Sequence, residues 1–338
     1  MSFGISAHNP SGGKGVIQHA MEQVAKQTPQ GGLVMRKPSV WRTYRKHRGI
    51  LLMLVPGLLF YVIFHYAPLY GIQLAFKDFR IMDGISGSPW VGFDHFRTLF
   101  YGSDQFPLIL RNTLIISFLH IIFGFPAPIA LALLFNEIRS KLFKRITQSI
   151  SYLPHFLSWV VLAGLLTTIL SPSEGILNYL LGLFGVEPIY FMGDPHYFRF
   201  TLVVSGIWKE IGWGTIVYLA ALASVDPHLY EAGIVDGASR WKQTLHITIP
   251  SILPVIAVML LLRIGGIMEA GFDQIFNLSN AAVSNVADIL DTYVYRVGIG
   301  QFQYGLTTAV GLFKNVVGFL MLILANYAVK KMGQEGIF

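Results

Sequence analysis

The sequence predicts an all-α protein that crosses a membrane several times, and three observations carry that prediction. Of the 338 residues, 53% are apolar and 13% charged, about half the charged share of an ordinary soluble domain; mean hydropathy is +0.55. The apolar residues gather into six stretches long enough to cross a hydrocarbon core of roughly 30 Å, which takes about 20 residues of helix. The basic residues between them fall mainly on one side. Lipid offers no hydrogen-bond partners, so a crossing segment must satisfy its own backbone, as a helix does.

Residues 1–48 mix Gly, Ser, Pro, Gln and Lys and end in the basic run Arg42, Arg45, Lys46 and Arg48. They predict a cytoplasmic tail with a polybasic stop. The long apolar stretch behind it predicts a retained span and not a cleaved signal. Residues 49–338 then form the membrane domain. Spans are predicted over 49–76, 112–136 and 146–173, whose only titratable groups of the His, Lys, Arg, Asp and Glu types are His65, His120 and His155. A fourth, 200–225, contains Lys209 and Glu210; a fifth, 251–277, contains Arg263, Glu269 and Asp273; a sixth, 304–329, contains Lys314 and Asn326. Residues 175–186 are apolar but too short to cross, and predict a segment at the membrane surface or packed on the bundle.

Basic residues are retained on the cytoplasmic face. Residues 1–48 hold eight Lys and Arg, 137–145 hold four, 226–250 hold Arg240 and Lys242, and the tail holds Lys330 and Lys331. The outward segments hold Lys77, Arg80, Arg97 and Arg296, with Arg111 and Arg199 at the edges of the next spans, among nine acidic residues. Both termini are therefore expected in the cytoplasm, with the chain in the cytoplasmic (inner) membrane, in contact with lipid. The same bias accounts for the net charge of +7, and without a basic stripe interleaved with aromatics no nucleic-acid partner is expected. The chain has no cysteine, which excludes disulfides, thiol nucleophiles and thiolate metal sites. Its ten histidines show no metal-ligand spacing on a helix, so no metal site is expected.

The connector 226–250 is longer than a turn requires. Asp226 before Pro227 predicts a helix start, Gly237 a stop with a left-handed turn, and Trp241, Leu245 and Thr248 resume helical spacing. Pro250 is expected to end or re-aim the chain as it enters the fifth span. A short helix lying on the cytoplasmic face, exposing Tyr230, Ala232, Val235 and Trp241, has the form of a docking element; an interfacial helix without a partner has the same pattern.

The run Glu231-Ala232-Gly233-Ile234-Val235-Asp236-Gly237-Ala238-Ser239, closed by Ile249-Pro250, resembles the Glu-Ala-Ala…Asp-Gly-Ala signature of membrane subunits in binding-protein-dependent ATP-binding-cassette importers. Gly233 stands where that signature usually has its second alanine. Pro56-Gly57, Phe76-Lys77-Asp78-Phe79, Val91-Gly92-Phe93, Arg111-Asn112-Thr113 and Phe272-Asp273-Gln274-Ile275-Phe276 extend the likeness to the maltose-type sugar permeases, above all those for complex oligosaccharides and polysaccharide fragments. The resemblance implies a type I importer transmembrane domain of six helices whose connector is a coupling helix. Tyr230, Glu231, Ala232, Gly233, Asp236, Gly237 and Ala238 would then dock a separate ATPase subunit. It implies a heterodimer with a second permease, two ATP-binding-cassette subunits, an extracytoplasmic solute-binding protein and an oligosaccharide substrate. No Gly-x4-Gly-Lys-Ser/Thr phosphate loop occurs, so no cofactor is expected on this chain, ATP and Mg being expected on the ATPase; the chain itself is not expected to be an enzyme.

Ionisable groups inside spans are costly and usually face a water-filled cavity or the bundle interior. Glu210, Trp213, Glu269, Asp273, Asn277 and Lys314 are the candidates for a sugar path, beside Lys209 and Arg263. Spacing of four places Glu269, Asp273 and Asn277 on one helix face. Carboxylates and amides would accept hydroxyl hydrogen bonds, and Trp213 would offer a flat face to a pyranose ring; internal pairing of Lys209 or Lys314 with Glu269 would merely hold the bundle. Two other classes share these features: a proton-coupled secondary transporter using Glu210, Glu269 or Asp273, and a non-transporting scaffold or sensor.

Overall fold

The computed structural model describes residues 48–333 and 336–337; the predicted basic tail, up to residue 47, lies outside them. The chain divides into two compact units, Met1–Pro68 and Leu69–Phe338. Among the described residues the architecture is helical, and the β-type pairing is a single antiparallel bridge between Lys77 and Trp90. In chain order the helices are α1 (Arg48–Phe76), α2 (Asp94–Tyr101), α3 (Gln105–Glu137), α4 (Lys141–Phe156), α5 (Trp159–Ile169), α6 (Ile176–Gly182), α7 (Pro195–Ala223), α8 (Pro227–Val235), α9 (Arg240–Gly265), α10 (Phe272–Leu278), α11 (Leu290–Val294) and α12 (Tyr304–Lys331).

Helices α1, α3, α9 and α12 are long and apolar enough to cross a membrane, and the bent pair α4–α5 reaches that length and apolarity only when its two halves are taken together. The remaining predicted span, the fourth, is α7. Its 29 residues measure about 43 Å, ample for a crossing, but it is less apolar than the others. Packing explains the difference. It buries eleven residues, among them Lys209, Ser205, Thr201 and Thr215, and a helix wrapped by protein does not need an apolar surface all round.

Three prolines that could have ended helices do not. The residue before each one bonds five positions back: Ala67 N–H to the Val62 carbonyl, Phe125 N–H to that of His120, and Ile249 N–H to that of Thr244. Pro68, Pro126 and Pro250 lack the N–H that would complete the regular ladder and clash with the preceding turn. A single wide turn before each absorbs the defect. The expectation that Pro250 ends the helix is therefore corrected: α9 starts at Arg240 and runs through Pro250 into the membrane.

Two predicted spans are broken. The third, expected as continuous over 146–173, bends by 105° between α4 and α5. Leu157 is extended and Ser158 caps α5, its hydroxyl accepting the Val161 N–H at 3.3 Å. The fifth, expected over 251–277, ends at Gly265; after a tight turn Gly271, with φ +94°, starts the separate helix α10. Only a residue without Cβ adopts that backbone at little cost. The predicted surface segment forms α6, which packs onto the main core through Leu177 and Leu181. That core joins α3, α5, α7 and α10 through Ile116, Ala163, Phe198, Leu202 and Ile275; a second joins α2, α3, α11 and α12 through Leu99, Phe106, Leu290 and Val310.

Candidate functional site

Where the broken spans face α7, the structure opens a cleft of about 560 Å³. His120 of α3, Trp159 of α5, Glu210 and Trp213 of α7, Arg263 of α9 and Glu269 of the following turn line it. The break between α4 and α5 frees carbonyls, and α7 satisfies them: Lys209 Nζ donates to the His155 carbonyl at 2.7 Å and to that of Leu157 at 2.8 Å. Lys209 is only 7% exposed, so its charge is held by oriented carbonyl dipoles. One residue on, Glu210 Oε2 lies 2.9 Å from His155 Nδ1. The His155 ring stacks parallel on Trp213 with centroids 4.5 Å apart, and Trp213 stays 46% exposed in the cleft. Opposite, Gln274 Nε2 donates to the Leu202 carbonyl at 2.6 Å and Ser205 Oγ at 3.0 Å, fixing α10 to α7.

A second cleft of about 550 Å³ shares Leu262, Arg263, Glu269 and Gly271 with the first and adds Lys314 and Asp291. Lys314 Nζ pairs with Asp291 at 2.5 Å, not with Glu269 as the internal-pairing alternative had it, and Lys209 is held by carbonyls. The single polar stripe is also corrected. Glu269 sits in the turn and Asp273 in α10, so they share no helix face. Asp273 and Asn277 do share one, the Asn277 amide donating to the Asp273 carbonyl at 2.7 Å, but neither lines these two clefts. Glu210, Trp213, Glu269 and Lys314 do. His155, Gln274 and Asp291 escaped the sequence reading, because their roles depend on partners 23 to 72 residues away.

Away from the clefts, Arg199 donates to Asn112 at 2.8 Å and Asn112 to the carbonyls of Asn285 and Asp288 at 3.1 Å. Asp288 binds Arg296 through both oxygens, at 2.6 and 3.1 Å, and these bonds hold the guanidinium pKa above its ordinary value.

The connector is a bent foot. Asp226 caps α8 by accepting the His228 N–H at 2.9 Å. Beyond Val235 the chain reverses at Gly237, with φ +71°, as the Gly237 and Ala238 N–H groups close on the carbonyls of Ile234 and Gly233 at 3.0 and 2.8 Å. Ser239 then caps α9, and the Gln243 amide ties back to the Ala238 carbonyl at 2.9 Å. Gly233 has a packing reason: an added Cβ would sit 3.0 Å from Ile247. Glu231, Ala232, Asp236 and Gly237 face outward, with Val235 87% and Trp241 70% exposed. Tyr230 does not; it is half-buried, its hydroxyl 3.0 Å from that of Thr248. Arg240 pairs with Glu137 at 2.6 Å, joining the foot to the end of α3.

A helical bundle with a polar cleft and an exposed bent foot at one end defines a multi-pass membrane permease, and comparison with known proteins gives its kind. Residues 124–334 match the family described as binding-protein-dependent transport system inner membrane component, and the chain belongs to it. Protein LplB of Bacillus subtilis (strain 168) is 45% identical over 319 residues, 94% of this chain and 100% of that one. The polygalacturonan/rhamnogalacturonan transport system permease protein YteP of the same organism is 46% identical over 289 residues, 86% of this chain and 90% of that one. A chain in the crystal structure of a bacterial alginate ABC transporter, in complex with alginate pentasaccharide-bound periplasmic protein, superposes with a TM-score of 0.81 at 42% identity, over 88% of this chain and 99% of that one. The protein is thus a permease subunit of an ATP-binding-cassette importer and not an enzyme. Neither the proton-coupled nor the scaffold alternative finds support.

Proposed function

We propose that this chain pairs with a second, different permease to enclose an inward path for oligosaccharides or polysaccharide fragments. An extracytoplasmic solute-binding protein delivers the sugar, and two ATP-binding-cassette subunits, carrying ATP and Mg, drive it through. The foot at 226–250 carries this reading: it is capped and bent as one unit, exposes Glu231, Ala232 and Asp236, and is tied to α3 by the Arg240–Glu137 pair. Closure of the ATPase pair on such a foot would bias a two-state gate. That same pair puts the basic segments 137–145 and 226–250 at one end, which supports a cytoplasmic placement of that end and of both termini. Support for a sugar comes from the permease named for polygalacturonan and rhamnogalacturonan transport and from the alginate transporter. In the path, Glu210 and Glu269 accept hydroxyl hydrogen bonds, Trp213 offers its indole face, and Lys314 bounds the second cleft. Asp273 and Asn277 lie off both clefts and act on the path at most through α10.

The test is co-purification with the partner subunits, followed by reconstitution and a screen of oligosaccharides for stimulated ATP hydrolysis. An ATP-hydrolysing complex that responds to an oligosaccharide presented by its binding protein is expected. Transport by the isolated subunit, or uptake that follows a proton gradient with ATP clamped, would overturn the reading.

A further inference from the structure

Arg263, exposed where it lines the two clefts, differs from the other cations of the bundle. Lys209 is held by two carbonyls, Lys314 by Asp291, and Arg199 by Asn112 and the Val286 carbonyl. The Arg263 guanidinium forms no hydrogen bond and no ion pair within 4.0 Å among the described residues, although it lines both clefts. A guanidinium at membrane depth is expensive unless water or an anion receives its five donors. Glu210 and Glu269 share the first cleft with it and make its charge tolerable there without binding it directly. Trp159 and Trp213 line that cleft too, and their flat apolar faces fit a pyranose ring. A planar donor fork left open beside stacking surfaces matches a sugar that carries a carboxylate, which a guanidinium receives through two parallel hydrogen bonds.

We infer that Arg263 is a specificity-determining residue of the path, binding the carboxylate of an acidic sugar unit in transit and so selecting uronate-type oligosaccharides over neutral ones. This inference rests on the oligosaccharide reading above. The test uses the reconstituted four-subunit complex with its binding protein and two probes of matched length, an oligogalacturonate and its methyl ester, and reads the ratio of uptake rates for acid over ester. Wild type favours the acid. Arg263→Gln lowers the ratio about tenfold, the loss of one charge-assisted pair; Arg263→Lys, which keeps the charge and loses the fork, lowers it less. An unchanged ratio in the Gln variant, or equal loss of both substrates, overturns the assignment. If the Gln variant does not assemble, the Lys variant decides, and a wild-type ratio there overturns it. A wild-type complex that transports neither probe overturns the oligosaccharide reading, and this inference with it; one that transports both equally overturns the inference alone.

Discussion

The foot at 226–250 and the cleft are built in opposite ways. The contacts that cap and bend the foot are short in sequence: Asp226 to His228, Gly237 to Ile234, Ala238 to Gly233, Gln243 to Ala238, and Tyr230 to Thr248, 18 residues apart, while the Arg240–Glu137 pair ties the finished foot to α3. The bundle around the cleft is held by bonds that leap along the chain: Lys209 to His155 across 54 residues, Arg199 to Asn112 across 87, Asn112 to Asp288 across 176. A locally closed unit moves as one piece, whereas elements joined by a few long-range polar bonds can change register where those bonds exchange. The contrast suits a lever and a gate.

The comparison is broken most severely at the lever. Deleting residues 231–237 abolishes uptake while the spans still insert, because it removes the foot and leaves the bundle cores intact. Gly237→Val tests the bend alone: nothing lies within 4 Å of an added Cβ there, so the damage comes from forcing a β-branched residue to positive φ. Substrate-stimulated ATP turnover at the wild-type rate in either variant would separate the foot from the drive.

Next comes the gate's main tie. Lys209→Met keeps the stem and leaves the carbonyls of His155 and Leu157 without their donor. A buried unpaired polar group costs about 1–3 kcal/mol, so thermal unfolding of the purified complex should move down by about that amount. A shift within error would mean that the 105° break between α4 and α5 holds itself.

That break marks the limit of what the sequence made legible. The six predicted stretches, the Asp226 cap, the Gly237 reversal and the outward-facing Glu231, Ala232 and Asp236 were all readable, since each depends on neighbours within a few positions or on apolar run length. Apolar run length says nothing about continuity, however. Pro154 and Ser158 inside one run and Gly265, Gly266 and Gly271 inside another decided that two expected spans would break. In the other direction, Pro250 looked like a terminator and was absorbed by a wide turn. Glu269 and Asp273 were misplaced by the same blind spot, because spacing of four defines a face only where the helix persists. Asp291, the partner of Lys314, had the look of an ordinary outward-loop acid.

The corrected geometry ranks two carboxylates that spacing alone had made equivalent. Glu269 lines both clefts and Asp273 lines neither, so Glu269→Gln should reduce uptake several-fold more than Asp273→Asn, with delivery by the binding protein unaffected in both. Equal effects would return α10 to the path and restore the stripe.

The smallest effect separates the start of α7 from both regions. Asp194 caps α7, its carboxylate accepting the His196 N–H at 2.9 Å with the His196 ring nitrogen 3.0 Å away. The backbone bond first, then the ring, holds its pKa below the usual carboxylate value. A carboxyl lowered by folding stabilises the folded form above its unfolded pKa, near 4, and that contribution disappears as pH falls through the lowered value. The first turn of α7 should therefore loosen only in acid, seen as faster amide exchange at His196 to Arg199 relative to the rest of the helix. Asn caps a helix about as well as Asp without titrating, so Asp194→Asn should flatten that pH dependence while leaving the turn closed at neutral pH. An identical acid response in the Asn variant would place the titrating group elsewhere than Asp194.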